Sequence, residues 1–501
     1  MPCNTRRYNT YDAPNTYDTP KSNPSIVGSQ NESRWLIDSL DAAVHDMTMV
    51  QDLSEFVVSR TYDDLSDTAV GALKIRILDG LGCAVGALEG GPIRAIRDYL
   101  RDFGGRPLCT ALGFGKTAPD RCALYSAALV RYLDFNDSYL AKGETCHPSD
   151  NLGAILAATE YANGTGKDLL LSLAVAYQVQ CRLSDVAPVR ARGFDHTTQG
   201  SFAVAAGVSK ALRLDAAKTA NAIAISGTAF NALRVTRTGV LSNWKGLAYP
   251  NTGFCGTHAT FLARHGITGP MEVFEGNKGF MDSIAGRFSI DWSKEDLERV
   301  TKTAVKKYNA EIHSQSATEG ILELRAERGL AADQVDRIEI DIFDVGFNII
   351  GGGEEGSKYG VRTKEEADHS LPYIVSAALL DGTLMPAQYE PERILREDVQ
   401  QLHRKVVVRP DKAYSDRFPA EMPCRLTVHL KDGRVFEKEK RDYEGFVTRP
   451  MTWATATAKF QTLAAPFAGE ALRKEIASLM GKLEDLPVVN LCKVLAKIPR
   501  R

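Results

Sequence analysis

DTAVGALKIRILDGLGCAVGAL, residues 67–88, is the stretch whose reading decides the fold. Its apolar residues Val70, Leu73, Ile77, Leu81, Ala84 and Leu88 recur at steps of three and four, which is one face of an α-helix. Asp79, Gly80, Gly82 and Gly86 interrupt that face. Glycines inside a helix weaken it, so their presence predicts close approach of a second helix rather than a break. The same small-residue texture returns at 123–133, 152–163, 168–184, 201–212 and 216–230, with turns at NGTGK (163–167) and RLDA (213–216). Small side chains let such helices pack tightly, and the expectation is a large all-helical domain without a parallel sheet.

Near Lys302 the period changes. VDRIEIDIF (335–343) alternates Ile338, Ile340 and Ile342 with Arg337, Glu339 and Asp341, a strand with one wet face. Further strands are expected at 405–409, 424–430 and 435–438, the last two joined by the hairpin signal KDGR (431–434). Helical patterns at 314–328 and 370–380 lie among them, and helical texture resumes at 453–464, 469–481 and 489–498. The fold class is therefore mainly α: a helical domain over 31–302 and 446–501, with a smaller α+β lid domain inserted at 303–445. Residues 1–30 repeat the polar motif NTYD without an apolar face and read as a disordered tail.

With 44% hydrophobic residues, 25% charged residues and a net charge of −2, nothing favours nucleic acid or an anionic membrane surface. The longest apolar run, LLLSLAVAY (169–177), is too short to span a bilayer. Nine dispersed cysteines without a CxxC pair argue against a disulfide framework, a zinc site or an iron–sulfur cluster, and suit a reducing cytoplasm. GGGEEG (351–356) is glycine-rich but acidic, so it reads as a mobile loop and not as a nucleotide cradle. No P-loop, GxSxG or HExxH occurs. No metal and no cofactor are expected.

Chemistry concentrates in LDFNDSYLAKGETCHPSDNLG (133–153), which sets Asp134, Asp137, Ser138, His147 and Asp150 between two helical patterns. A carboxylate beside an imidazole is a usual way to place a base near neutral pH. The same residues also suit a helix cap, Pro148-Ser149-Asp150 preceding an apolar run. The segment reads as too polar for a core, and Cys146 beside His147 as a passive neighbour. RGFDHTTQGS (192–201) adds His196 next to Asp195, and RVTRTGVLSNWKG (234–246) adds two arginines and Lys245 in a loop suited to carboxylates or phosphates. Lys306 and Lys307 precede Glu311 and His313 at the junction between the two textures, where clefts commonly form.

Together LDFND…HPSDNLG, FDHTTQGSFA (194–203), RTGVLSNWKG (237–246), FEGNKGF (274–280), KKYNAEIHSQ (306–315) and ADHSLPYIVSAALLDG (367–382) resemble the MmgE/PrpD family. That family includes 2-methylcitrate dehydratase, cis-aconitate decarboxylase and iminodisuccinate epimerase. The resemblance implies a helical domain with an α+β lid, a homodimer, and Asp134, Ser138, His147, His196, Lys245 and Lys306 lining the cleft between them. Tyr359 matches a site tyrosine loosely. Substrates of this kind are di- or tricarboxylates, which need cations; Lys245, Lys306 and Arg237 are the candidates, with His147 and His196 moving protons. The first reading is a metal-free hydro-lyase acting on 2-methylcitrate or citrate, favoured by KYGVRTKEEADHSLPY (358–373). The alternatives are a decarboxylase or epimerase on the same scaffold, or a non-catalytic metabolite-binding protein.

Overall fold

Helix Asp67–Gly86 begins at Ser66, whose hydroxyl accepts from the Ala69 amide at 3.0 Å and satisfies one of the free donors of the first turn. Its glycines do meet other helices. A Cβ on Gly80 would stand 3.0 Å from Leu152 Cδ2, and one on Gly82 would stand 3.2 Å from the Phe460 Cα. This helix therefore lies between Leu152–Tyr161 and Trp453–Ala464, pairing an early and a late segment of the chain. The computed structural model describes residues 47–239 and 241–501; the expected tail at 1–30 and the helical start at 31–46 lie outside the described residues.

Helices Pro119–Tyr132 and Gly166–Val186 pack against Asp67–Gly86, Trp244–Arg264 and Thr197–Ala211 pack onto those, and Ala216–Ala229 packs onto the last two. Helix Trp244–Arg264 is disguised in the sequence by Pro250 within it. Contrary to an all-helical expectation, this part of the chain carries two small hairpins. Strands β1 (Cys109–Ala111) and β2 (Gly115–Thr117) form one, and β3 (Tyr139–Ala141) and β4 (Glu144–Cys146) the other. Three-residue strands are too short for alternation to register as a period, so they were invisible to a periodicity argument.

The mixed sheet has strand order β6-β5-β7-β8, from β5 (Val335–Ile342), β6 (Val406–Pro410), β7 (Cys424–Leu430) and β8 (Val435–Lys440). β5 runs parallel to β6 and antiparallel to β7, and β7 is antiparallel to β8. Ile338, Ile340 and Ile342 are fully buried while Arg337 stays exposed, the alternation expected of a half-wet strand. Helices Gln315–Arg328 and Leu371–Asp381 pack with this sheet.

The apolar interior falls into two main clusters. One draws on residues 50–300 and 460–498, the other on 304–446. Burying each Leu, Ile or Phe in either stabilises by about 1.5–3 kcal/mol. Thr48–Arg501 nevertheless holds together as one compact unit. Backbone bonds stitch the clusters where they meet: Ser138 and Ala304 exchange two, at 2.8 and 2.7 Å, and the Val305 amide donates to Gly445 at 2.8 Å. Among the described residues no helix is long and apolar enough to cross a membrane.

Candidate active site

The stretch 133–153 is interior, not the exposed polar loop its composition implies: Asp134, Asn136, Asp137, Ser138, His147 and Asp150 are all buried. A polar segment can be buried when its groups satisfy one another, and here most do, Asn136 Oδ1 and Asp150 Oδ2 being left without a hydrogen-bond donor among the described residues. Tyr177 Oη donates to Asp137 at 2.6 Å, Ser149 donates to the same carboxylate through N and Oγ, and Asn136 donates to Ser149 and Asp150. Helix Pro119–Tyr132 stops at Leu133, and Asp134 turns the chain with φ 52°, a left-handed conformation that Asp tolerates better than most residues. The β3–β4 pairing then brings His147 alongside Ser138.

Asp134 is a charge hub. Its carboxylate accepts from Arg131 Nη1 at 2.5 Å and Lys306 Nζ at 2.7 Å, with Lys245 Nζ at 3.8 Å and His369 Nε2 at 3.9 Å. Burial opposes its ionisation, yet Arg131, Lys306 and Lys245 hold the carboxyl well below the usual carboxylate range. A carboxylate so firmly ionised is a poor proton acceptor. Lys245, in the first turn of Trp244–Arg264, is itself lowered by burial, against Asp368 and Asp134.

Four imidazoles line the same cavity: His147, His196, His313 and His369. His147 Nδ1 lies 2.8 Å from the Asp137 carbonyl and 3.1 Å from Ser138 Oγ. A carbonyl can only accept, so Nδ1 carries the proton and Nε2 the lone pair. Burial, then Arg131, Lys306 and His196, push His147 well below its ordinary value, so it is neutral at pH 7. Glu311 Oε1 stands 2.7 Å from His313 Nδ1 and fixes the same tautomer there, leaving His313 Nε2 buried and unpartnered among the described residues. Burial would raise the Glu311 carboxyl, but His313 brings it down to about 2. His196 is the opposite tautomer. Its Nε2 accepts from Arg237 Nη2 at 2.9 Å, so Nδ1 carries the hydrogen. Burial takes His196 down to about 3 against the pull of Asp195, with Arg237 and Arg131 adding to the lowering.

Seven arginine or lysine side chains face four carboxylates around this cavity, whose empty volume is about 770 Å³ including the open mouth. An excess of fixed cations in a partly dry volume favours anionic ligands. At the mouth Arg190 and Arg234 share Glu355 Oε1, each at 3.1 Å, while Arg237 Nε binds Asp195 at 2.6 Å. Asp134, Asp368 and His369 are spaced as three metal ligands would be. Cations already occupy them: Lys306 on Asp134, Lys364 on Asp368 at 2.7 Å, and Lys245 Nζ 2.9 Å from His369 Nδ1. Ammonium groups in that volume would repel a metal ion, so this donor set does not fit one. Behind the floor, Lys459 Nζ donates to the carbonyls of Phe135 (2.7 Å) and Lys306 (2.8 Å) and stands 2.7 Å from Asp79.

Asp134, His147, His196, Arg237, Lys245 and Lys306 thus line one cavity. Ser138 does not line it; it sits behind His147 as a partner of the ring. Tyr359 is a correction. It is 44% exposed, its hydroxyl donates to the Val406 carbonyl at 2.6 Å and its ring stacks on His403, while its neighbour Lys358 faces the cavity. Within GGGEEG, Glu355 is held by two arginines. Reading the sequence missed Arg131, Arg190, Asp368 and His369 as site residues and gave no role to the pair Glu311–His313. The i,i+3 spacing of Arg131 and Asp134 was the available signal for the first. The E-x-H closeness of Glu311 and His313 was the signal for the pair. Cys146 accepts from Ser184 Oγ and lies outside the cavity lining.

A cation-rich, imidazole-lined cavity where helices meet a small mixed sheet defines a class of small-anion sites with acid–base capacity. The chain belongs to the MmgE/PrpD family: the model of the MmgE/PrpD N-terminal domain matches residues 51–293 and that of the MmgE/PrpD C-terminal domain residues 308–485. Among curated proteins it is 26% identical to cis-aconitate decarboxylase of Mus musculus, over 87% of this chain and 90% of that protein. It is 27% identical to 2-methylcitrate dehydratase of Salmonella typhi, over 79% and 85%. It is 26% identical to the alkylcitrate dehydratase phiI of a fungal species, over 77% and 82%. These relatives are named for lyase reactions.

Proposed function

We propose that the chain is a cofactor-independent hydro-lyase that removes water from 2-methylcitrate or a citrate-like tricarboxylate. The observation carrying this reading is that two imidazoles of pinned tautomer, His147 and His313, line the same cavity as a surplus of fixed cations. One of these lone pairs takes the proton from the carbon next to a carboxylate. Charge then develops on that carboxylate, enolate-like, where Lys306 and Arg131 stabilise it without reorganising. The C–O bond breaks as the hydroxyl receives a proton and leaves as water. Lys245, an ammonium made more acidic by burial, supplies that proton. His196 presents N–H rather than a lone pair and serves as a hydrogen-bond donor to the substrate.

Decarboxylation is the second reading, favoured by the longer match to the mouse relative. It uses the same enolate-stabilising cations but loses CO₂ in place of hydroxide. A homodimer belongs to the same proposal on the family likeness; light scattering of a monomer at micromolar concentration would remove it. The deciding assay offers 2-methylcitrate, citrate, cis-aconitate and iminodisuccinate, and follows new C=C absorbance and CO₂ release separately. Unsaturated tricarboxylate without CO₂ supports dehydration. CO₂ without accumulating unsaturated tricarboxylate replaces it with decarboxylation, and turnover of none leaves a binding protein.

A further inference from the structure

The mouth of the cavity holds an ion triad that the proposed chemistry leaves unused. Arg190 and Arg234 both line the cavity, and both donate to one oxygen of Glu355. The arginines are anchored. Glu144 Oε2 accepts from the backbone amides of Val189 and Arg190 at 3.2 and 3.1 Å, and the Arg234 amide donates to Gly193 at 2.9 Å. Glu355 is carried differently, on a segment with left-handed glycines on either side, Gly352 at φ 106° and Gly356 at φ 86°. Its own amide makes one bond back to the Asn348 carbonyl at 3.0 Å. Deeper in, Asp195 is already taken by Arg237 through Nε and Nη2, with Arg234 Nη1 standing 3.8 Å from the same carboxylate.

Sharing one oxygen between two guanidinium groups is a poor use of them, because each fork can bind a carboxylate through two parallel N–H donors. We propose that Arg190 and Arg234 form a carboxylate subsite for the far end of an extended polycarboxylate, and that Glu355 occupies it as a built-in stand-in which such a ligand displaces. This rests on the polycarboxylate reading and deepens it: a dicarboxylate is satisfied at the Lys245–Lys306 floor, whereas a tricarboxylate also reaches the rim. Displacement exchanges one carboxylate for another, so no charge is left unpaired in the cavity, and the freed Glu355 side chain turns to water at the mouth. Glu355 then acts as an internal competitor that discriminates against shorter acids, which cannot evict it.

Binding of two acids that lack the hydroxyl to be eliminated tests this by calorimetry: propane-1,2,3-tricarboxylate and succinate, on the full chain. Removing the competitor raises the free fraction of the subsite, so Glu355→Gln is expected to tighten the tricarboxylate about threefold to tenfold and leave succinate unchanged. Arg190→Gln and Arg234→Gln are expected to weaken the tricarboxylate by about tenfold with little effect on succinate. Thermal unfolding of each variant checks that the fold survives. A Glu355→Gln protein that binds the tricarboxylate no better, or less well, makes the triad a structural clasp and overturns the subsite. Equal weakening of both acids by the arginine variants overturns it too. If no variant and not the parent protein binds either acid, the polycarboxylate reading falls with it.

Discussion

Asp134 at the floor of the cavity and Glu355 at its mouth are both carboxylates gripped by cations, and the two grips do opposite work. Asp134 is buried, is contacted by Arg131 and Lys306, and lies on backbone stitched to Ala304 through Ser138. Glu355 keeps about 15% of its side chain exposed, and its arginine partners 25% and 16%. Breaking a buried pair strands charge in a low-dielectric interior, which costs several kcal/mol. Breaking a pair that solvent already reaches costs less, since water and salt partly take over each partner. The floor therefore fixes geometry, and the mouth can exchange partners.

Substitutions at the two ends should break this symmetry most visibly. Asp134→Asn is expected to cost about 3–5 kcal/mol of stability, read by urea unfolding, because Lys306 and Arg131 lose their counter-charge. Glu355→Gln is expected to cost less than about 1 kcal/mol. Similar losses at both positions would mean that burial is not what separates floor from mouth.

Next come the imidazoles on the floor. His147→Ala, His196→Ala and His313→Ala should each lower turnover by roughly 10²–10⁴-fold with an unchanged circular dichroism spectrum. Glu311→Gln, which removes the group orienting His313, should fall between these and the parent. Full activity in all three histidine variants, on every acid turned over, would end their catalytic assignment.

The pH dependence is a smaller effect with a definite sign. His147, His196 and His369 are depressed in the fold, so they favour the native state above their unfolded value near 6.5 and that advantage is lost as pH falls toward the folded values. Asp150, raised to about 7 by burial, and Glu144, also raised by burial, work the other way, since each is favoured in its protonated form. His403 is likewise depressed by burial and Asp79 likewise raised, so four histidines stand against three carboxyls and leave a shallow net decline in stability below pH about 6.5. Below about 4.5 the depressed carboxylates Glu311, Asp134, Asp195 and Asp368 join the histidines and the decline steepens. Thermal unfolding from pH 3 to 8 reads this directly, and a midpoint that rises on acidification from 6 to 4 would contradict it. Smallest of all is the response to chelation. Ammonium groups already occupy the Asp134–Asp368–His369 donors, so exhaustive EDTA treatment should leave turnover unchanged; loss restored by zinc or iron would show that a metal displaces Lys245.

Much of this was legible in the chain. Helical and strand periods located most of the long helices, though not Trp244–Arg264 or Gly91–Phe103, and all four strands of the mixed sheet, because burial on one face writes itself into sequence at 3.6 or 2 residues. Asp134, His147, His196, Lys245 and Lys306 stood out because polar residues were concentrated between apolar patterns. Interior polarity was not legible. The stretch 133–153 looks solvated until Tyr177 and Gln180, both on helix Gly166–Val186, are seen to pair with its Asp137 and Asn151. Arg131 was hidden for a similar reason: inside a helical pattern it reads as a wet-face residue, and its burial depends on Asp134 and Asp150 being there to receive it. Tyr359 was misread and Glu355 passed over because glycine-rich segments carry no period, so which neighbour turns inward is decided by the tertiary fold.

Lys459 gives the architecture a schedule. Ribosomes deliver chains from the N-terminus at about 5–20 residues per second, so this lysine appears roughly 8–30 s after Lys306, which lies 153 residues earlier. Until then the carbonyls of Phe135 and Lys306 lack their shared donor and Asp79 lacks its cation. The nascent protein can collapse its early helices, but the cleft is finished from behind by a helix made after the mixed sheet, so a chain stopped short of Lys459 is folded in part and has an unsupported floor to its site.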